Sequence, residues 1–112
     1  MSQITTHILD TSKGKPAADV AVVLYEQQDD TWSPIAADKT NKDGRIADLL
    51  EGNVILVPGN YKLRFATQEY FDKHDISSLY PFIEIVFNIS NNEHYHVPLL
   101  LNPFGYSTYR GS

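Results

Sequence analysis

The 112-residue chain has no cysteine. Disulfides, thiolate nucleophiles and cysteine-based zinc sites are therefore excluded. Such a chain tolerates any redox compartment, and a cytoplasmic one is the expectation. Clustered positive charge is missing too: the formal net charge is -5 and the sequence pI is near 5.1, which argues against a nucleic-acid partner. The apolar runs fall far short of the roughly 20 residues that span a bilayer, so no membrane span is expected. Residues 1–7 have neither the basic nor the apolar stretch of a signal peptide. The final residues are not the common peroxisomal tripeptide.

What is present suffices for one domain over residues 1–112. Hydrophobic residues make up 42% and charged residues 21%, close to globular averages, so the chain is expected to fold around its own core. Turn-forming clusters recur at short intervals: Ser12-Lys13-Gly14-Lys15-Pro16, Asp29-Asp30, Asn41-Lys42-Asp43-Gly44, Pro58-Gly59-Asn60, Ser90-Asn91-Asn92 and Asn102-Pro103. Between them lie runs rich in Val, Ile, Tyr and Phe. Short strands at this spacing predict an all-β sandwich of seven or eight strands.

Period-two alternation is clearest in three segments. In residues 60–67, Tyr61, Leu63 and Phe65 share a face. In residues 81–90, Ile83, Ile85, Phe87 and Ile89 do. In residues 94–101, Tyr95, Val97, Leu99 and Leu101 do. Residues 19–26 are apolar on both faces, which predicts a strand covered on both sides. Residues 68–77 break the pattern and read as a short helix with Thr67 as N-cap. Residues 52–58 fit either a strand or a covered loop.

The alternation also aims polar groups outward. His94 and His96 oppose the apolar face of their strand. Pro98 shares their face and lacks an N–H, which predicts an edge strand or a nearby bulge. In the first strand, His7 lies opposite Ile4 and Ile8. On local grounds any one histidine reads first as a solvated or hydrogen-bonded side chain, and two that could converge weaken that reading. His94, beside Asn92 and Glu93, reads as part of a polar turn and outside any site. Asn41-Lys42-Asp43-Gly44-Arg45 reads as a hairpin turn followed by a surface arginine, or as a rigid mount for a guanidinium suited to a planar, oxygen-rich ligand. Tyr106, Thr108 and Tyr109 favour an ordered last strand, which would hold Arg110 and Ser112 in place.

Together these segments resemble the transthyretin-related 5-hydroxyisourate hydrolases. The likeness lies in Thr5-Thr6-His7-Ile8-Leu9-Asp10-Thr11, Gly14-Lys15-Pro16-Ala17, Asn41-Lys42-Asp43-Gly44-Arg45 and Tyr95-His96-Val97-Pro98-Leu99-Leu100-Leu101. It is most specific in the ending, Pro103-Phe104-Gly105-Tyr106-Ser107-Thr108-Tyr109-Arg110-Gly111-Ser112. It is weaker over residues 26–39 and 68–80. The resemblance implies a transthyretin-like sandwich of two four-stranded sheets with one short helix. It also implies a homotetramer, a dimer of dimers, with sites in the channel where dimers meet. Its site residues fall on His7, Arg45 and His96 as catalytic groups. Tyr109 and Ser112 join His7 and Arg45 in binding substrate, and Arg110 and Gly111 support them. The implied reaction opens the six-membered ring of 5-hydroxyisourate, with no cofactor and no metal. A non-catalytic carrier of a small aromatic ligand on the same fold, and a purely structural sandwich module, are the rival expectations.

Overall fold

The alternating segments pair into two stacked sheets in the computed structural model, which describes residues 2–112. The first sheet runs β2 (Lys15–Pro16), β1 (Ile4–Asp10), β8 (Tyr95–Asn102), β9 (Gly105–Thr108), and the two-residue β5 (Arg45–Ile46) also pairs with β1. The second runs β4 (Thr31–Lys39), β3 (Ala21–Gln28), β6 (Gly59–Phe65), β7 (Ile83–Ile89). Ile4, Ile8, Leu99 and Leu101 of the first sheet are fully buried, as are Val22, Leu24, Leu63 and Phe65 of the second. The core is therefore the layer between the sheets, filled by every second residue of each strand. No helix is long and apolar enough to cross a membrane among the described residues.

The expected four-stranded sheets are both present, with β5 as a short addition to the first. The strand expected over residues 19–26 lies two residues later. Its Val22 and Leu24 are buried, while Ala21, Val23 and Tyr25 are only half-covered. β4 has no clean alternation in the sequence because it is bulged: Leu24 pairs with Ala36 but Tyr25 pairs with Pro34, leaving Ile35 unpaired and the pleat phase shifted. Residues 52–58 are loop, with Ile55 and Val57 exposed.

The helix α1 (Thr67–Lys73) is shorter than expected, and Thr67 is not its cap. Ala66 occupies the cap position without a side-chain hydrogen bond, and Thr67 is buried as the first helical residue. The C-terminal stop is Asp75, in the left-handed region at φ 56°. Asp75 N–H donates to the Asp72 carbonyl and Ile76 N–H to the Phe71 carbonyl, the reversal that closes a helix when a left-handed residue follows it.

Pro98 does not mark an edge: β8 is an inner strand, parallel to β1 and antiparallel to β9. Its carbonyl accepts the Thr108 hydroxyl, so its backbone edge faces the tail. The tail's ladder stops after Thr108 and resumes only at the His96–Gly111 bridge. The missing N–H thus lies in that gap.

Candidate active site

Burial of Ile4, Thr6 and Ile8 turns Thr5 and His7 to the outer face of the first sheet. Burial of Tyr95 and Val97 turns His96 to the same face. The parallel register sets Thr5 beside His96 and His7 beside Pro98.

Arg45 reaches this face through a braced loop. The Asn41 side-chain oxygen accepts the N–H groups of Asp43 (2.9 Å) and Arg45 (3.0 Å). Gly44 N–H donates to the Asn41 carbonyl, and the Gly44 carbonyl accepts Ile8 N–H at 2.8 Å. Gly44 has φ 73°, and a Cβ there would fall 2.5 Å from the Ile8 carbonyl oxygen, so only glycine lets the loop lie against β1. The loop is not a hairpin turn. It carries the chain from β4 in the second sheet to β5 in the first, and the register then sets Arg45 directly opposite His7.

The tail folds back onto His96. Gly111 N–H donates to the His96 carbonyl at 2.9 Å. A Cβ on Gly111 would sit 2.6 Å from His96 Cδ2, so the ring lies directly against the glycine. The Arg110 guanidinium donates to the His94 carbonyl at 3.2 Å and stacks 4.1 Å from the Tyr95 ring centroid. Ser112, Arg45, His96, His94 and Thr5 line one cavity of about 190 Å³.

Not every expected residue gathers there. His7 stands beside the cavity, paired across the strands with Arg45, and does not line it. Tyr109 and Arg110 line a separate groove of about 340 Å³ with Val86 and Phe87 of β7, and Tyr109 is 59% exposed. Two residues that sequence reasoning left outside the site do belong to its wall. Thr5 Oγ1 lies 2.7 Å from His96 Nδ1 and 2.8 Å from His94 Nε2. His94 is thus no mere turn residue. The alternation already set Thr5 on the face of His7 and His94 on the face of His96. What it did not contain was the parallel register that brings those two faces side by side.

The electrostatics favour neutral imidazoles. His96 is pushed below the ordinary histidine value of 6.5 by partial burial first, then by the Arg45 charge and by His7 and His94. His7 is lowered by partial burial and then by Arg45, against a smaller opposing pull from Asp43. Near neutral pH both rings therefore retain a lone pair able to accept a proton. An arginine fixed beside them supplies a permanent cation for a developing negative charge.

The family model described as "HIUase/Transthyretin family" matches residues 4–111. A probable 5-hydroxyisourate hydrolase of Caenorhabditis elegans is 45% identical over 99% of this chain and 82% of its own length. A 5-hydroxyisourate hydrolase of Mus musculus is 43% identical over 99% of this chain and 96% of its own. Among solved structures, the Klebsiella pneumoniae 5-hydroxyisourate hydrolase superposes with a TM-score of 0.86 at 38% identity, covering 97% of this chain and 98% of that one. Sea bream transthyretin, solved with thyroxine, superposes with a TM-score of 0.91 at 30% identity, covering 98% and 95%. With its two-sheet fold and a family match spanning nearly every residue, the chain belongs to the HIUase/Transthyretin family.

Proposed function

We propose that the protein hydrolyses 5-hydroxyisourate, cleaving the N1–C6 amide bond to open the six-membered ring and give 2-oxo-4-hydroxy-4-carboxy-5-ureidoimidazoline in urate breakdown. The observation that carries the reading is the meeting of His96, Arg45 and Ser112 around one cavity, with His7 across from Arg45. Fold alone does not separate the family's hydrolases from its hormone carriers, because both superpose closely. The side chains on the outer face do. Two imidazoles and a guanidinium suit acid–base chemistry on a polar ring and are poor lining for an apolar hormone.

Ring opening needs a deprotonated water, a stabilised oxyanion and a protonated leaving nitrogen. His7 and His96 orient the water and take its proton, and the imidazolium so formed returns a proton to the departing nitrogen. Arg45 binds the carbonyl oxygens and stabilises the tetrahedral oxyanion. Ser112 positions substrate or water from the cavity wall. Arg110 and Gly111 hold the tail, and Tyr109, which lines the separate groove of its own protomer, would meet the planar ring only across a subunit junction. No cofactor enters these roles.

The assembly belongs to the same proposal. The outer face of the first sheet leaves the site open on one side, and a homotetramer of face-to-face dimers would close it. Edge strands β7 and β9 expose Val86 and Tyr106, apolar surface that suits pairing between protomers within each dimer. A cytoplasmic location is proposed with it, in keeping with a chain that needs no oxidising compartment.

The test is direct. 5-Hydroxyisourate is generated from urate with uricase and its ultraviolet decay is followed. Acceleration at catalytic protein concentration is expected, with a loss of at least about 10²-fold in His96→Asn and in Arg45→Ala, in line with general-base and oxyanion terms. Stoichiometric binding without turnover would overturn the reading in favour of a carrier.

A further inference from the structure

We propose that Thr5 and His94 are positioning residues that hold His96 in the tautomer with hydrogen on Nδ1 and a bare Nε2. The inference rests on the hydrolase reading above and assigns that reading's base its reactive atom. The Thr5 hydroxyl stands between two imidazole nitrogens, 2.7 Å from His96 Nδ1 and 2.8 Å from His94 Nε2. Thr5 is 7% exposed, and the two rings lie nearly parallel with centroids 6.3 Å apart. A hydroxyl has one proton to give. Its oxygen also has two lone pairs, so with both contacts made at least one of the two facing nitrogens carries a hydrogen.

Two arrangements use the Thr5 hydroxyl as a donor, and a third, in which both rings donate to Thr5 Oγ1, leaves His96 Nε2 bare as the first does. In the first, His96 Nδ1–H donates to Thr5 Oγ1 and the Thr5 hydroxyl donates to His94 Nε2. His96 Nε2 is then bare, and it has no hydrogen-bond partner among the described residues. In the second, His94 Nε2–H donates to Thr5, which donates to His96 Nδ1. His96 Nε2 then carries the hydrogen and accepts nothing.

The second arrangement leaves no base at Nε2, and those with hydrogen on His96 Nδ1 do. When water gives its proton to Nε2, His96 becomes an imidazolium that still donates through Nδ1 to Thr5. Every other hydrogen bond of the chain of three residues stays as it was. The bare Nε2 is also the form favoured near a cation, and Arg45 lines the same cavity. In the first arrangement the exposed His94 keeps its own Nδ1–H in solvent, so that tautomer costs little. A third group that orients the base in this way generalises a familiar catalytic logic.

The experiment compares Thr5→Val, Thr5→Ser, His94→Ala and His96→Asn by steady-state kinetics on 5-hydroxyisourate, with nitrogen-15 NMR of the histidine rings at neutral pH. In the unaltered protein the His96 signals are expected to report hydrogen on Nδ1. Thr5→Val is expected to lose about tenfold or more in kcat with KM within about twofold, and Thr5→Ser to recover most of the loss. His94→Ala is expected to shift the His96 tautomer and lower kcat from an exposed position, so the test survives if Thr5→Val fails to fold. A His96 ring with hydrogen on Nε2 in the unaltered protein overturns the inference. So do unchanged kcat values in Thr5→Val and His94→Ala beside an inactive His96→Asn. Full activity in His96→Asn removes His96 as the base and overturns the inference too, whereas no turnover by the unaltered protein overturns the hydrolase reading itself, a distinct result.

Discussion

Two imidazoles under one guanidinium give the protein a definite response to acid. His7 and His96 both titrate below the ordinary 6.5, through burial and then the charge of Arg45. The folded chain therefore binds fewer protons than the unfolded chain between their lowered values and 6.5. Their contribution to stability is intact above 6.5 and is lost as the pH falls through that window. Activity follows the neutral rings, so its acid limb is expected below pH 6.5. In Arg45→Gln the cation is gone, and both rings are expected to titrate closer to 6.5 by NMR; unmoved titrations would mean Arg45 does not act on them. Gly111 meets the same ring sterically. Gly111→Ala brings a Cβ to 2.6 Å from His96 Cδ2, so the ring or the tail must shift. A loss of about tenfold or more in kcat/KM with an unchanged melting temperature is expected, because misplacing a reacting group by a fraction of an ångström is costly while the tail bears little of the core.

The strand β1 is the element on which the site is assembled, and its far end is tied down separately. Asp10 is fully buried, and its carboxylate accepts the Tyr70 hydroxyl at 2.8 Å from α1 and the Ser12 N–H at 3.0 Å. Burial and this carboxylate push the Tyr70 phenol well above its ordinary range. Tyr70→Phe leaves a buried carboxylate short of a donor, and urea unfolding is expected to show a loss of about 1–3 kcal/mol with kcat little changed. A loss of activity larger than the loss of stability would mean that α1 acts on the site as well as on the fold. The sequence showed α1 through its broken alternation but misjudged its ends. Thr67 has the chemistry of a cap, yet burial claims its side chain, and Asp75 takes the left-handed stop usually given to glycine. β4 was invisible for a similar reason: one bulged residue reverses the pleat, and a period-two search fails across it.

At the scale of the whole molecule, one protomer presents the reactive groups on an open face. His7 and His96 are only half-buried and Arg45 is exposed. The groove lined by Tyr109 and Arg110 lies along β7, at the side of the sandwich where both sheets end in a free edge. If dimers form at that side, Val86→Lys should weaken them, because Val86 is 57% exposed on the β7 edge. Sedimentation is expected to give four times the 12.7 kDa chain mass for the unaltered protein and a smaller mass, with lower activity, for Val86→Lys. An unaltered protein that sediments as a monomer with full activity would sink the shared-channel proposal.

The amino-acid order by itself determined the sandwich, the faces of its regular strands and the presence of outward histidines in the first and eighth of them. Those follow from short-range physics, in which alternating apolar residues choose an inside and turn residues choose the corners. It also placed Arg45 after a rigid turn. Which groups meet was decided only in three dimensions. The parallel pairing of β1 with β8 sets Thr5 beside His96 across 91 positions of chain, and the tail's return past Pro98 lays Gly111 against the same ring. Nothing local marks Thr5 or His94 as parts of a site, because a hydroxyl and an imidazole become a network only when strand register fixes the distance between them.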